Sequence, residues 1–130
     1  MRTELLHALN QCETDVDGAI KRFSGNESLY ISCLCAFLSD NTMAELTKAI
    51  GSSAWDDAFT AAHALKGLAG NMGFIPLFHA AAELVVLIRA GRIPEAVASH
   101  KKVLRCYNEV SGAIQACDEA DEAGKRGAAV

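Results

Sequence analysis

Apolar residues in this chain return every three or four positions almost throughout, and no stretch sustains the every-second-residue alternation of a half-buried strand. Such a chain can bury its apolar stripes only by packing helix on helix. Residues 3–11 read as a short amphipathic helix on Leu5, Leu6 and Leu9, and residues 15–23 as another turn or two before Ser24-Gly25-Asn26 breaks the pattern. Asn26 is placed to cap a helix to about Ser39, with Leu29, Tyr30, Cys33, Leu34, Phe37 and Leu38 inward. Thr42-Met-Ala-Glu45 has capping-box spacing and opens a helix stopped by Gly51. Ser53-Ala-Trp-Asp56 is a weaker form of the same box, opening a helix to about Met72 with Gly73 as its stop. Pro76 sits in the first turn of the next helix, which carries Leu77, Ala80, Ala81, Leu84 and Ile88 and ends at Gly91. Pro94 starts the last one, with Val97, Leu104, Tyr107, Val110, Ile114 and Cys117 on its apolar side. The expected fold is all-α: an antiparallel up-and-down four-helix bundle over residues 1–117 with short extra N-terminal helices, followed by a disordered tail over 118–130.

At 130 residues and 51% hydrophobic content the chain fits one domain with its own core. Its formal charge of −4 and lack of a long Lys/Arg run argue against nucleic acid or an anionic membrane as partner. Lys101, Lys102 and Arg105 read as one solvated helix face. The N-terminus turns polar too soon for a signal peptide, and no apolar run approaches the roughly 18–20 residues of a membrane span, so a cytoplasmic location is expected. Five cysteines without CxxC spacing suit reduced thiols buried as small hydrophobes. Cys33 and Cys35 would point about 200° apart on a helix and cannot share a metal unaided.

The run His63-Ala-Leu-Lys66-Gly67-Leu-Ala-Gly70-Asn71-Met-Gly73 is the exception to ordinary helix composition. Two helix-interior glycines, Gly67 and Gly70, forfeit roughly 2 kcal/mol against alanine, so something else must require them. With His63 at zero on a wheel of about 100° per residue, Ala54, Ala58, Ala61, Leu65, Leu68 and Met72 fall near the opposite pole. Gly67 and Gly70 fall at about +40° and −20°, on the histidine's own face, with Phe59 and Lys66 on its shoulder. Side chains lean toward a helix's N-terminus, so a larger residue at 67 would cover the imidazole, and Lys66 is carried back toward it. An open imidazole beside a cation suits a phosphoryl acceptor: one ring nitrogen attacks and the lysine steadies the added negative charge. Gly73 reads as a plain helix terminator.

This run, with Phe74 after it, resembles the H-x-L-K-G signature of histidine-containing phosphotransfer (HPt) domains. The resemblance extends through Ile20-Lys-Arg-Phe23, Gly25-Asn26-Glu27, Tyr30, Leu34, Phe37, Leu77 and Leu84, roughly residues 10 to 115. It implies a four-helix bundle in a multistep two-component phosphorelay of bacterial type. His63 would accept a phosphoryl group from a receiver-domain aspartyl phosphate and pass it to another receiver, in a response regulator or hybrid sensor kinase. Lys66 would steady the group, Gly67 would give access and Gly70 would leave room for the receiver. Phe59 is either an apolar docking contact or packed on a neighbouring helix. Mg²⁺ is expected from the receiver, and this chain, a monomer, is expected to bind no cofactor or metal itself. Where many members carry a polar partner for the histidine's second nitrogen, this chain has Val85.

Other readings compete. Glu4-Leu-Leu-His7 has the E-x-x-H spacing of a di-metal bundle but no second copy, while His79 with Glu83 and a solitary His100 read as surface or boundary residues. A sensor-kinase dimerisation domain usually has an acidic residue directly after its histidine, where Ala64 stands here. No G-x-x-x-x-G-K-[ST] run is present, so ATP-dependent kinase activity is not expected. A non-catalytic adaptor bundle that binds a receiver is the remaining alternative.

Overall fold

A computed structural model describes the backbone of residues 2–128 and the side chains of 3–117. Seven helices follow one another among the described residues: α1 (Arg2–Gln11), α2 (Val16–Arg22), α3 (Glu27–Phe37), α4 (Thr42–Gly51), α5 (Trp55–Met72), α6 (Ile75–Arg89) and α7 (Ile93–Ala128). No strand forms among them, and a single antiparallel bridge joins Thr14 to Phe74. α4 packs on α5, α5 on α6, α6 on α7, and α7 returns to α4, which closes a ring of four helices. α1 and α3 lie on α7, and α2 lies against α5. The fold is a helical bundle, as its periodicity requires.

The core is filled from every helix. Leu9, Tyr30, Leu34, Leu46, Leu65, Leu77, Leu84 and Val103 are fully buried, and all five residues expected to face inward on α6 do so. Phe37 sits edge-on to Phe74 at 5.1 Å between centroids and 5.3 Å from Tyr107, tying α3, the α5–α6 turn and α7 together. Some expected core residues point elsewhere: Leu29 is 47% and Val97 40% exposed. On α7 the buried stripe instead runs through the small Ala96 and Ser99 to Val103, because a small side chain permits the close approach of α6 that a large one would block. On α5, Leu68 is only half-buried while Ala62 and Ala69 are buried. The five cysteines are half-buried rather than buried.

The helix ends depart further from expectation. Asn26 caps α3 as read, accepting the Leu29 N–H at 3.0 Å. Neither capping box forms. Thr42 lies inside α4 and its N–H donates to Asp40 Oδ1 at 2.8 Å, while α5 starts on Ala54 without any side-chain cap. Gly51 is the last helical residue of α4, and the left-handed position falls on Ser53 (φ 55°). There the Ala54 N–H reaches Ala49 O at 2.8 Å and the Ser53 N–H reaches Ile50 O at 3.1 Å, the paired bonds of a Schellman turn. That turn consumes Ser53 as the reversal and leaves it no role as an N-cap.

α7 runs through to Ala128, beyond the Cys117 end read from its apolar spacing. Backbone helicity does not need that stripe, since Ala, Glu, Lys and Arg are strong helix formers. The side chains from 118 on lie outside the described residues, as do residues 129 and 130, and the expectation of a disordered tail falls on this segment.

Candidate functional site

The helix that carries His63 buries Ala58, Ala61, Ala62, Leu65, Ala69 and Met72 and turns the histidine out to solvent. The four buried alanines, Ala58, Ala61, Ala62 and Ala69, let neighbours approach the helix backbone, and the opposite face is left for chemistry. His63 meets Phe59, one turn before it, edge to face at 6.1 Å between centroids. Among the described residues nothing hydrogen-bonds its ring. Val85, half-buried against the core, offers no polar atom for it.

The three glycines of the run serve three purposes. A Cβ at Gly67 would meet nothing within 4 Å, so the space above it is open, as the wheel implied. A Cβ at Gly70 would lie 3.1 Å from Cδ2 and 3.3 Å from Cε2 of Phe78. The room at Gly70 is therefore occupied within this chain by an aromatic ring. Gly73 is more than a terminator: its φ of 82° turns the chain left-handed, and a Cβ there would come within 2.5 Å of the Asp15 carbonyl oxygen. The Asp15 N–H donates to Gly73 O at 2.8 Å, so the α1–α2 connection docks on this turn.

His63, Lys66, Gly67, Gly70, Asn71, Phe78 and Arg22 together line a shallow cleft of about 380 Å³. Lys66, expected to lean back toward the histidine, holds its ammonium over the Phe78 ring, 5.8 Å from the centroid. On the other side of His63, the Arg89 guanidinium lies 5.4 Å from the Phe59 centroid. Phe59 is half-buried against the core, with Arg89 of α6 over its ring and the imidazole beside it. On a chain of net negative charge, two cations, Arg22 and Lys66, line the cleft with His63, and a third, Arg89, lies over the neighbouring Phe59. A wider groove of about 520 Å³, between α4 and α5, reaches Thr60 and Ala64 on the flank of His63.

Arg22 had no role in the sequence reading. Its Nη2 donates to Gly70 O at 2.8 Å and its Nε to Asn71 O at 3.2 Å. Tyr30, fully buried, donates its hydroxyl to Met72 O at 2.9 Å, and the Phe74 N–H takes Ala69 O at 2.9 Å. The last four carbonyls of α5, which a helix cannot satisfy itself, are all paired. Burial pushes the Tyr30 phenol up to about 12, with Asp15 adding to the rise and Arg22 opposing it.

The remaining histidines stand apart. His7 Nε2 is 3.1 Å from the Gln11 amide, His79 lies against the edge of Phe78 at 5.4 Å, and His100 Nε2 is 3.0 Å from Thr47 Oγ1, its pKa lowered by burial. Among the described residues no three His, Cys, Asp or Glu side chains are grouped to hold a metal ion, and no helix is long and apolar enough to cross a membrane.

Comparison with known families matches the Hpt domain model over residues 37–120, more than half of the chain, from the end of α3 across His63 into α7. No curated protein and no solved structure matches the chain.

Proposed function

The chain belongs to the Hpt domain family, whose members carry out histidine phosphotransfer in phosphorelays by engaging receiver domains, and from that premise we propose that His63 is the phosphoryl carrier here. The observation that carries the reading is an exposed imidazole, with no hydrogen-bond partner among the described residues, beside Gly67, whose position is open, in a cleft that Lys66 and Arg22 also line. A ring nitrogen of His63 directs its lone pair at the phosphorus of a receiver aspartyl phosphate. The N–P bond forms as the P–O bond breaks, the bonding pair leaves with the aspartyl carboxylate, and the ring's other nitrogen can release its proton to water. Transfer to a second receiver reverses these steps. Such chemistry asks for in-line approach and charge neutralisation rather than an enclosed pocket, which suits a shallow convex site. Lys66 supplies neutralisation from this chain. A divalent cation such as Mg²⁺, where the transfer uses one, is the receiver's to supply, and the chain acts as a cytoplasmic monomer without ATP-dependent kinase activity.

The test is incubation with a phosphorylated receiver and Mg²⁺, followed by assay for an acid-labile, base-stable label. Wild type should label and His63→Gln should not; undiminished labelling of the variant overturns the assignment. Absence of label with every receiver tried, despite binding, would instead favour an adaptor. Gly67→Leu belongs in the same experiment. Because the space over Gly67 is empty in the free chain, the variant should keep its helix content yet lose transfer.

A further inference from the structure

The cleft beside His63 contains an arrangement that the phosphoryl-carrier reading leaves unexplained. Lys66 comes from α5 and Phe78 from α6, and they meet beside Gly70, where a Cβ would crowd the ring. With a methyl at 70, two ring carbons of Phe78 would stand at 3.1 and 3.3 Å from it, tighter than ordinary contact. Glycine therefore lets the ring lie against the α5 backbone one turn beyond Lys66, with the ammonium 5.8 Å from its centroid. Among the described residues no carboxylate pairs with Lys66.

The kind of partner matters. A carboxylate would hold the ammonium and also cancel its charge, so that an arriving phosphoryl group would have to displace an anion. An aromatic face attracts the cation through its quadrupole, restricts a long and otherwise mobile side chain, and leaves the full positive charge on the nitrogen. We propose that Phe78 is a positioning residue for phosphotransfer: its ring, admitted by Gly70, holds the Lys66 ammonium at the edge of the His63 cleft, uncompensated, and keeps that contact while the ammonium faces the incoming phosphoryl oxygens. This rests on His63 being the phosphoryl carrier. It also gives Gly70 a purpose inside the chain, separate from any room it leaves for a partner.

The experiment compares wild type, Phe78→Leu, Phe78→Met and Phe78→Tyr, each also in a Lys66→Gln background, with folding checked by circular dichroism. Phosphoramidate serves as donor, so that no receiver enters the measurement, and transfer from a phosphorylated receiver is followed separately. In the NMR spectrum the Lys66 ε-methylene protons should be shifted upfield by the ring in wild type and Phe78→Tyr, and should return to ordinary values in Phe78→Leu and Phe78→Met. The ringless variants should phosphorylate His63 roughly two- to fivefold more slowly, as the loss of one exposed cation–π contact would give. Phe78→Tyr should restore the rate, and in the Lys66→Gln background Phe78→Leu should cost nothing further. A wild-type chain that no donor labels overturns the carrier reading and this proposal together. Normal labelling with losses that multiply across the two sites, or without an upfield Lys66 shift, overturns this proposal alone. If Phe78→Leu folds poorly, Phe78→Met against Phe78→Tyr carries the same comparison.

Discussion

At its N-terminal end α5 begins on Ala54 and, among the described residues, no side chain caps it, whereas at its C-terminal end every spare carbonyl has a partner. The start of the helix faces an open groove, packs on α4 and carries the Arg89 guanidinium of α6 over Phe59. The finish is tied to α2 by Arg22, to α3 by Tyr30 and to the α1–α2 connection by Asp15. The difference follows the glycines. Gly67 and Gly70 weaken the second half of the helix by roughly 2 kcal/mol, and hydrogen bonds worth about 1 kcal/mol each offset that weakness from outside. The open face beside His63 is thus compatible with a fixed helix because its stability is supplied by other parts of the chain.

The contrast can be broken hardest at Gly73. Gly73→Ala forces a left-handed alanine and places its Cβ against the Asp15 carbonyl, so stability measured by urea titration should fall by roughly 2–4 kcal/mol. Next comes Tyr30→Phe, which leaves the buried Met72 carbonyl unpaired and should cost about 1–2 kcal/mol. The same variant has a pH signature. A phenol that titrates at about 12 when folded, against 10.0 as its ordinary value, contributes its full stability below pH 10 and loses it as pH rises toward 12. Alkaline melting curves of wild type should show that decline, and those of Tyr30→Phe should lack this component. The smallest effect is a gain: Ala54→Asp at the uncapped start should add about 0.5–1 kcal/mol, seen as a higher Tm, because a carboxylate there can accept the first-turn N–H groups. If the start were already satisfied, no gain would appear.

What was legible in the sequence was local. The periodicity revealed the helices, Asn26 its cap, Gly73 and Gly91 their left-handed turns, Pro76 its first-turn position, and the wheel placed His63 outward with open space over Gly67. The capping boxes misled because Ser53 was needed as a reversal and Asp40 took the Thr42 N–H, a competition that the four-residue pattern does not encode. The partners of the α5 C-terminus were hidden for a different reason. Arg22 lies 48 positions from Gly70 and Tyr30 lies 42 from Met72, and no local spacing relates them. The seat that Gly70 provides for Phe78 was missed likewise, since a missing Cβ shows its purpose only when the neighbouring helix is in place.

The antiparallel bridge between Thr14 and Phe74 and the ties beside it also bear on where this domain can be cut. The span that matches the family begins at residue 37, so a fragment trimmed to it would keep His63, Lys66 and all three glycines of the run. It would discard Asp15, Arg22 and Tyr30, every side chain or amide from upstream that fastens the end of their helix. The minimal unit for expression therefore starts ahead of the α1–α2 turn, well outside the stretch by which its family is told.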